Sequence, residues 1–378
     1  MTAWRYIKDD GVTADRGLAA DEFLMTYYAA NIPPREPTLR LYSYRSHCAL
    51  VGRFQNIEAE LDLSACRECD VQFTRRPTGG GAILMGQDQL GICFTSSPSY
   101  RGMDMRPVEI YHRFSLPLIR ALENLGIAAR FRAKNDLETG GRKIAGLGVY
   151  FDPFGAMLFH ASLLVDLNVP LMLQVLKIPK EKISDKSGVS SVTQRITTVS
   201  GELNRKVAVD DVRNALGEAF EEIFQIKLSP DLWNITEEEQ IAKLAREKYL
   251  STDWIFQRSP NPDMTGMSLR KTPAGLLRIH LGLKGDIIKN ALITGDFLVA
   301  SETMNRIEAR LKWTPMEKES IGRIVQEATS HIGSLQAGIT PEDIMESVWK
   351  AGLNARAKNR ITNRGSCYYP LSQTPSEI

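Results

Sequence analysis

Arg75-Arg76-Pro77-Thr78-Gly79-Gly80-Gly81-Ala82 joins two fixed positive charges to three consecutive glycines, directly after the apolar run Val71-Gln72-Phe73-Thr74. A backbone freed of Cβ atoms wraps closely around a ligand and turns its N–H groups inward, while arginines hold an anion in place. That make-up suits a loop for a nucleotide or a carboxylate. The same stretch also fits a tight β-turn between two strands with a basic flank, so alone it leaves two readings open.

The surroundings narrow the choice. A chain of 378 residues exceeds what one core usually supports, which predicts two domains. Hydrophobic content of 43%, charge of 24% and a net charge of +2 are ordinary, and they argue against bulk binding to nucleic acid or membrane. Five scattered cysteines without a secretory leader argue against a disulfide framework and for a reducing compartment. Cys66 and Cys69 form a lone CxxC, which reads as a partly buried helix turn rather than a zinc site. With no apolar run of bilayer length, the expected location is the cytoplasm.

Helical spacing is expected over Ala14 to Tyr28, Val108 to Leu125 and Asp210 to Ile223, and strands over Leu39–Tyr44, Ala49–Phe54, Val71–Arg75, Ala82–Met85 and Gly91–Ser96. Asp152-Pro153-Phe154-Gly155 is a turn signal that places His160 in the second strand of a hairpin. The pattern is α+β, with helices expected on one sheet face. Leu228–Glu237, polar and Pro-containing, reads as a linker. Beyond it come strands near Leu269–Lys271, Gly275–Gly282 and Ile287–Ile293, helices from about Met304, Met316 and Pro341, and a basic tail from Asn354.

Four further segments follow the glycine loop: Lys134-Asn135-Asp136-Leu137, Gly141-Arg142-Lys143-Ile144-Ala145-Gly146, Phe159-His160-Ala161-Ser162-Leu163-Leu164 and Gly188-Val189-Ser190-Ser191-Val192. Together with Gly52-Arg53-Phe54-Gln55-Asn56 upstream, their order and spacing resemble the catalytic domain of the lipoate-protein ligase family. Leu244–Tyr249 and Asp253–Pro260 resemble the opening of that family's accessory domain, so the resemblance covers nearly the whole chain. It implies a biotin/lipoate ligase-like catalytic domain over 1–230 and a smaller α+β accessory domain over 238–378. It also implies an enzyme that uses ATP and Mg²⁺ to turn lipoate or octanoate into an acyl-adenylate, then passes the acyl group to a lysine. The implied acceptors are lipoyl-domain proteins: the E2 of 2-oxoacid dehydrogenases, the glycine cleavage H protein or a related lipoate-binding protein. No nucleic acid or membrane partner is implied, and a monomer is expected.

Physical chemistry gives the residues roles within that resemblance. Joining a carboxylate to an amine is uphill until the carboxylate acquires a leaving group, and a site for adenylation must neutralise a carboxylate and a phosphate together. Lys143 is the candidate central cation, since a compact ammonium can contact both anions. Arg75 and Arg76 are expected to hold the acid or the phosphates, with Thr78, Gly79, Gly80, Gly81 and Ala82 giving close backbone contact. Asn135 would orient ribose or phosphate, and Asp136 would coordinate Mg²⁺ or receive the incoming lysine, although an Asx-turn before Leu137 also fits. In the family the strand carrying His160 and Ala161 lines the pocket, Gly146 closes the lysine segment, and Ser190 belongs to a segment that folds over the adenylate. A hydrogen-bonded core histidine is the other reading of His160. One departure stands out: the family commonly follows its GGGA with an aromatic and then His-Asp, where this chain has Ile83-Leu84-Met85-Gly86-Gln87-Asp88. Asp88 is the available acid.

Three rivals share parts of this pattern. An octanoyltransferase on the same fold needs an activatable thiol, yet Cys93 reads as core and no cysteine lies between Lys143 and Val192. A biotin ligase would carry a G-R-G-R loop, which is absent. A non-catalytic binder of the carrier protein would have no need for the charged set.

Overall fold

The computed structural model describes residues 2–30, 36–97, 107–132, 135–177, 194–298, 301–330 and 338–362. The chain divides into two compact units, Met1–Arg53 with Ile57–Gln257, and Phe54–Asn56 with Arg258–Ile378. The division therefore falls near Gln257 and not at 230–238. The expected linker is regular structure instead: Ile226–Pro230 is a strand and Ile235–Leu244 a helix opened by an Asn234/Glu237 capping box.

Among the described residues the first unit has eleven strands: β1 (Thr2–Val12), β2 (Thr38–Tyr44), β3 (Cys48–Val51), β4 (Gln72–Arg75), β5 (Ile83–Met85), β6 (Gln89–Ser96), β7 (Arg130–Arg132), β8 (Asp136–Thr139), β9 (Arg142–Phe151), β10 (Met157–Leu164) and β11 (Ile226–Pro230). Eight form one mixed sheet in the order β11-β1-β2-β6-β10-β9-β8-β7, and β4-β3-β5 form a small second sheet. Only the β11-β1-β2 end of the large sheet is parallel; from β2 to β7 its pairings are antiparallel.

Period-2 alternation decides what each face carries. On β10, Met157, Phe159, Ala161 and Leu163 join a core with helices Pro107–Asn124 and Val209–Phe224. Its aromatic centre packs Phe114 at 4.6 Å from Phe94 and 5.0 Å from Phe159, centroid to centroid. The opposite face is covered too, correcting the one-face expectation: Leu18 and Leu24 of helix Ala14–Ala30 pack with Tyr42, Tyr44, Cys93 and Leu158. Tyr42, Tyr44 and Leu158 make that second face apolar, so it also has to be buried. Cys66 is buried in the short helix Leu63–Glu68, with Cys69 at its C-cap.

The second unit is an antiparallel sheet of β12 (Gly266–Thr272), β13 (Gly275–Lys284) and β14 (Ile287–Gly295). Leu277, Ile279 and Leu281 bury against Ile307, Ile321 and Val348 of helices Ser301–Leu311, Lys318–Thr329 and Pro341–Thr362. The basic tail begins as the end of that last helix, where Arg356 pairs with Asp286 at 2.8 Å.

Candidate functional site

The glycine loop, β9 and β10 meet around a cavity of about 210 Å³ in the first unit. Of the expected site residues, Arg76, Gly79, Gly80, Gly81, Ala82, Asn135, Lys143, Gly146, His160 and Ala161 line it. Thr78 and Asp136 each lie one contact behind, and Ser190 falls outside the described residues.

Lys143 reaches the cavity through an irregularity. The β8-β9 ladder runs Leu137 opposite Ala145 and then Glu138 opposite Lys143, leaving Ile144 as an extra residue. Strict alternation would put Lys143 on the face of Ala145 and Leu147, which is core. The bulge lets Ile144 and Ala145 both enter that core and turns Lys143 to the other side. Lys143 is thus a strand residue, rather than the turn residue its neighbours Gly140 and Gly141 suggest. Its N–H donates to Arg195 O at 2.7 Å and its carbonyl accepts from Thr197 N at 2.9 Å, so the segment around Ile196 fixes its backbone at two points. Its ammonium pairs with Asp136 Oδ1 at 2.7 Å. A Cβ on Gly146 would stand 3.0 Å from Lys143 Nζ, so the lysine lies over bare strand.

His160 lies over Gly148 in the same way, with its Nε2 2.8 Å from Thr78 Oγ1. Burial, aided by the Arg76 charge, pushes its pKa down to about 3, so the ring is neutral. His160 is thus hydrogen-bonded, half-buried and part of the cavity wall.

The two arginines part company. Arg75 is fully buried, and its guanidinium donates to the carbonyls of Gly52, Arg53, Trp254 and Ile255. It does not line the cavity, which corrects the expectation that it grips a ligand. Adjacent strand residues point to opposite sides, and Arg75 takes the side that ties β4 to the segment after Tyr249. Arg76 donates to the carbonyls of Leu50, Gly79 and Gly81, and burial pushes its pKa down to about 10. No ion pair to it occurs among the described residues. In a trans peptide the N–H points opposite to the carbonyl it follows, so this grip turns the N–H groups of Gly80 and Ala82 away from the guanidinium. A Cβ on Gly52 would overlap the carbonyl oxygen of Gly80, which accounts for the glycine in the upstream segment.

Asn135 uses its amide to donate to Leu147 O at 2.9 Å, and Leu147 N returns a bond to Asn135 O at 2.8 Å. At the departure from the family pattern, Met85 lines the cavity, and the His47 ring from the β2-β3 loop packs against Gly86. Asp88 is not a lining residue; its carbonyl accepts from Asp166 N. No group of three or more metal-ligating side chains occurs among the described residues. Sequence reasoning missed Leu18, Tyr42, Tyr44 and Ile196, which line the cavity. It also missed Gly148, whose signal was the alternation Gly146-Leu147-Gly148, the mark of a bare strand face.

Comparison with known proteins agrees with this geometry. Residues 14–221 match the family model of the lipoyl protein ligase A/B catalytic domain, and residues 261–347 match that of the bacterial lipoate protein ligase C-terminus. A lipoate-protein ligase of Bacillus subtilis is 26% identical over 325 residues, 85% of this chain and 94% of that protein. An octanoyltransferase of Geobacillus kaustophilus is 28% identical over 278 residues, 68% of this chain and 98% of that one. Among solved structures, a bi-partite lipoate protein ligase from Thermoplasma acidophilum, described with its E2 lipoyl domain, superimposes with a TM-score of 0.60 at 28% identity, covering 69% of this chain and 99% of its own. A lipoate-protein ligase A bound with ATP gives 0.58 at 25%, covering 68% and 99%. No helix among the described residues is long and apolar enough to cross a membrane. With the catalytic-domain match spanning more than half its length and its loop, lysine and histidine segments gathered on one cavity, the chain belongs to the lipoate ligase and octanoyltransferase family of enzymes.

Proposed function

We propose that this enzyme is the ATP-dependent ligase of that family, activating lipoate or octanoate as the acyl-adenylate and transferring it to a lysine of a lipoyl-domain acceptor. The observation that carries the reading is Lys143, turned by the bulge into a cavity whose described lining holds no thiol. In the first step a carboxylate oxygen attacks the α-phosphorus and pyrophosphate leaves; the ammonium of Lys143 offsets negative charge on both reactants. In the second, the acceptor amine attacks the acyl carbon, AMP leaves and the amide forms. Asp136 holds Lys143 in place and is the carboxylate available to Mg²⁺, which takes few protein ligands when phosphates supply the rest. The neutral His160 holds Thr78 at the start of the glycine loop and adds no positive charge to the wall.

The octanoyltransferase reading draws on the relatives of that name. Against it, Cys48, Cys66 and Cys93 are buried, and burial raises all three thiol pKa values, that of Cys66 to about 11. The match to a ligase C-terminus also favours the ligase. Lipoate-dependent exchange of pyrophosphate into ATP tests the choice. Wild type should exchange, and Lys143→Ala should lose on the order of a hundredfold or more in rate while remaining folded. Absence of exchange, with octanoate accepted from a thioester carrier, would establish the transferase instead.

A further inference from the structure

The lysine segment carries a second cation, Arg142, which does not line the cavity. It stands opposite Thr139 at the start of β9, where Gly140 and Gly141 turn the hairpin at positive φ. Gly146 and Gly148 follow on the same strand. Register is weakly specified in glycine-rich strands, and a slip of one residue would send Lys143 to the core face. The ladder with β8 is therefore a weak restraint on the bulge, and a second one comes from elsewhere in the chain.

Lys143 forms a parallel bridge with Ile196, through its two main-chain bonds to Arg195 and Thr197. One carboxylate holds that segment to β9. Glu202 Oε1, in the short helix Val199–Glu202, accepts from the Thr197 hydroxyl at 2.6 Å and from the Arg142 guanidinium at 2.7 Å. A closed ring results, from Glu202 to Arg142, along the chain to Lys143, across to Thr197 and back to Glu202. A single oxygen thus fixes both the residue before the lysine and the residue bonded to the lysine carbonyl.

On the reading of the site given above, we propose that Glu202 is a positioning residue for the reaction. Acting through Arg142 and Thr197, it holds the bulge in the register that turns Lys143 to the substrates. The Arg142 and Glu202 side chains are 40% and 17% exposed, so their ion pair adds little to stability, and the effect of losing it belongs to the rate.

The test is lipoate-dependent exchange of pyrophosphate into ATP by the full chain, for Glu202→Ala and Glu202→Gln, each in the wild-type and the Lys143→Ala backgrounds. Circular dichroism melts check the fold. Glu202→Ala should lower kcat about tenfold or more, with KM for ATP and lipoate within about twofold of wild type, because small displacements of a reacting group are costly. Glu202→Gln keeps an oxygen for Thr197 and loses the charge opposite Arg142, so its kcat should fall between; it carries the same comparison should the Ala variant not fold. In the Lys143→Ala background neither substitution should cost more than about twofold, since the side chain to be positioned is gone. Unchanged kcat, a loss confined to KM, or equal losses with and without Lys143 would overturn the proposal and leave the ligase reading standing. Wild type without exchange would overturn both.

Discussion

Gly148→Ala concentrates most of what the site depends on in one methyl group. The added Cβ would stand 2.5 Å from His160 Cδ2 and closer still to Nε2. Ordinary carbon contacts begin near ~3.5 Å, so the ring must retreat by about 1 Å. The Thr78–His160 bond of 2.8 Å would then open to roughly 3.8 Å, beyond hydrogen-bond length. Overpacking costs about 1–3 kcal/mol and an unpaired buried polar group about 1–3 kcal/mol, so the variant should lose roughly 2–6 kcal/mol of stability. The cost is conditional on the ring. In a His160→Ala background the methyl enters vacated space, and the same glycine substitution should cost under about 1 kcal/mol. Urea unfolding of the four proteins closes a double-mutant cycle, with an expected coupling of about 1 kcal/mol or more. Equal costs in the two backgrounds, within about 0.5 kcal/mol, would show that His160 does not need a bare strand beneath it.

Arg75→Lys should destabilise by about 3 kcal/mol or more, because an ammonium cannot satisfy four carbonyls that a buried guanidinium now joins; a stable variant that fails only in substrate binding would return Arg75 to the ligand. For His160 the folded pKa of about 3 lies below the unfolded value of ~6.5, so the unfolded state takes up the proton first. Stability is therefore complete above about pH 6.5 and should decline as pH falls toward 3, by up to ~1.4 kcal/mol per pH unit. Urea titrations across that range should show a shallower decline for His160→Gln than for wild type, and identical slopes would contradict the assignment.

The legible part of the site is the part written in local backbone requirements. Three glycines after two arginines, and glycines bracketing Lys143, announce close approach whatever the tertiary setting. What stayed hidden depended on partners far away in sequence. Nothing in Arg75-Arg76 tells which guanidinium faces the cavity, because that follows from the register of β4 on β3. The strand Thr2–Val12 escaped notice because only Trp4, Ile7 and Val12 along it are buried, too irregular a spacing for alternation to emerge. Leu228–Glu237 looked like a linker because an edge strand ending in Pro230 and a charged helix start share a linker's composition. The cavity wall from Leu18, Tyr42 and Tyr44 reads as ordinary core spacing, and only the fold shows that part of the core is empty.

The extra residue at Ile144 means that the position of Lys143 is set by a count. Substituting Ile144 with another apolar side chain preserves that count, and deleting it would leave an even ladder with Lys143 still opposite Glu138 and still on the cavity side, whereas closing the bulge with Ile144 retained would rotate Lys143 into the packed side of the sheet. A lysine segment transplanted onto a regular hairpin of another scaffold would fail for the same reason, with every residue identity correct and the parity wrong. Reactivity at this site is in that sense encoded by length as much as by chemistry, and a library that varies residues without varying loop and strand lengths would never sample its loss or its invention.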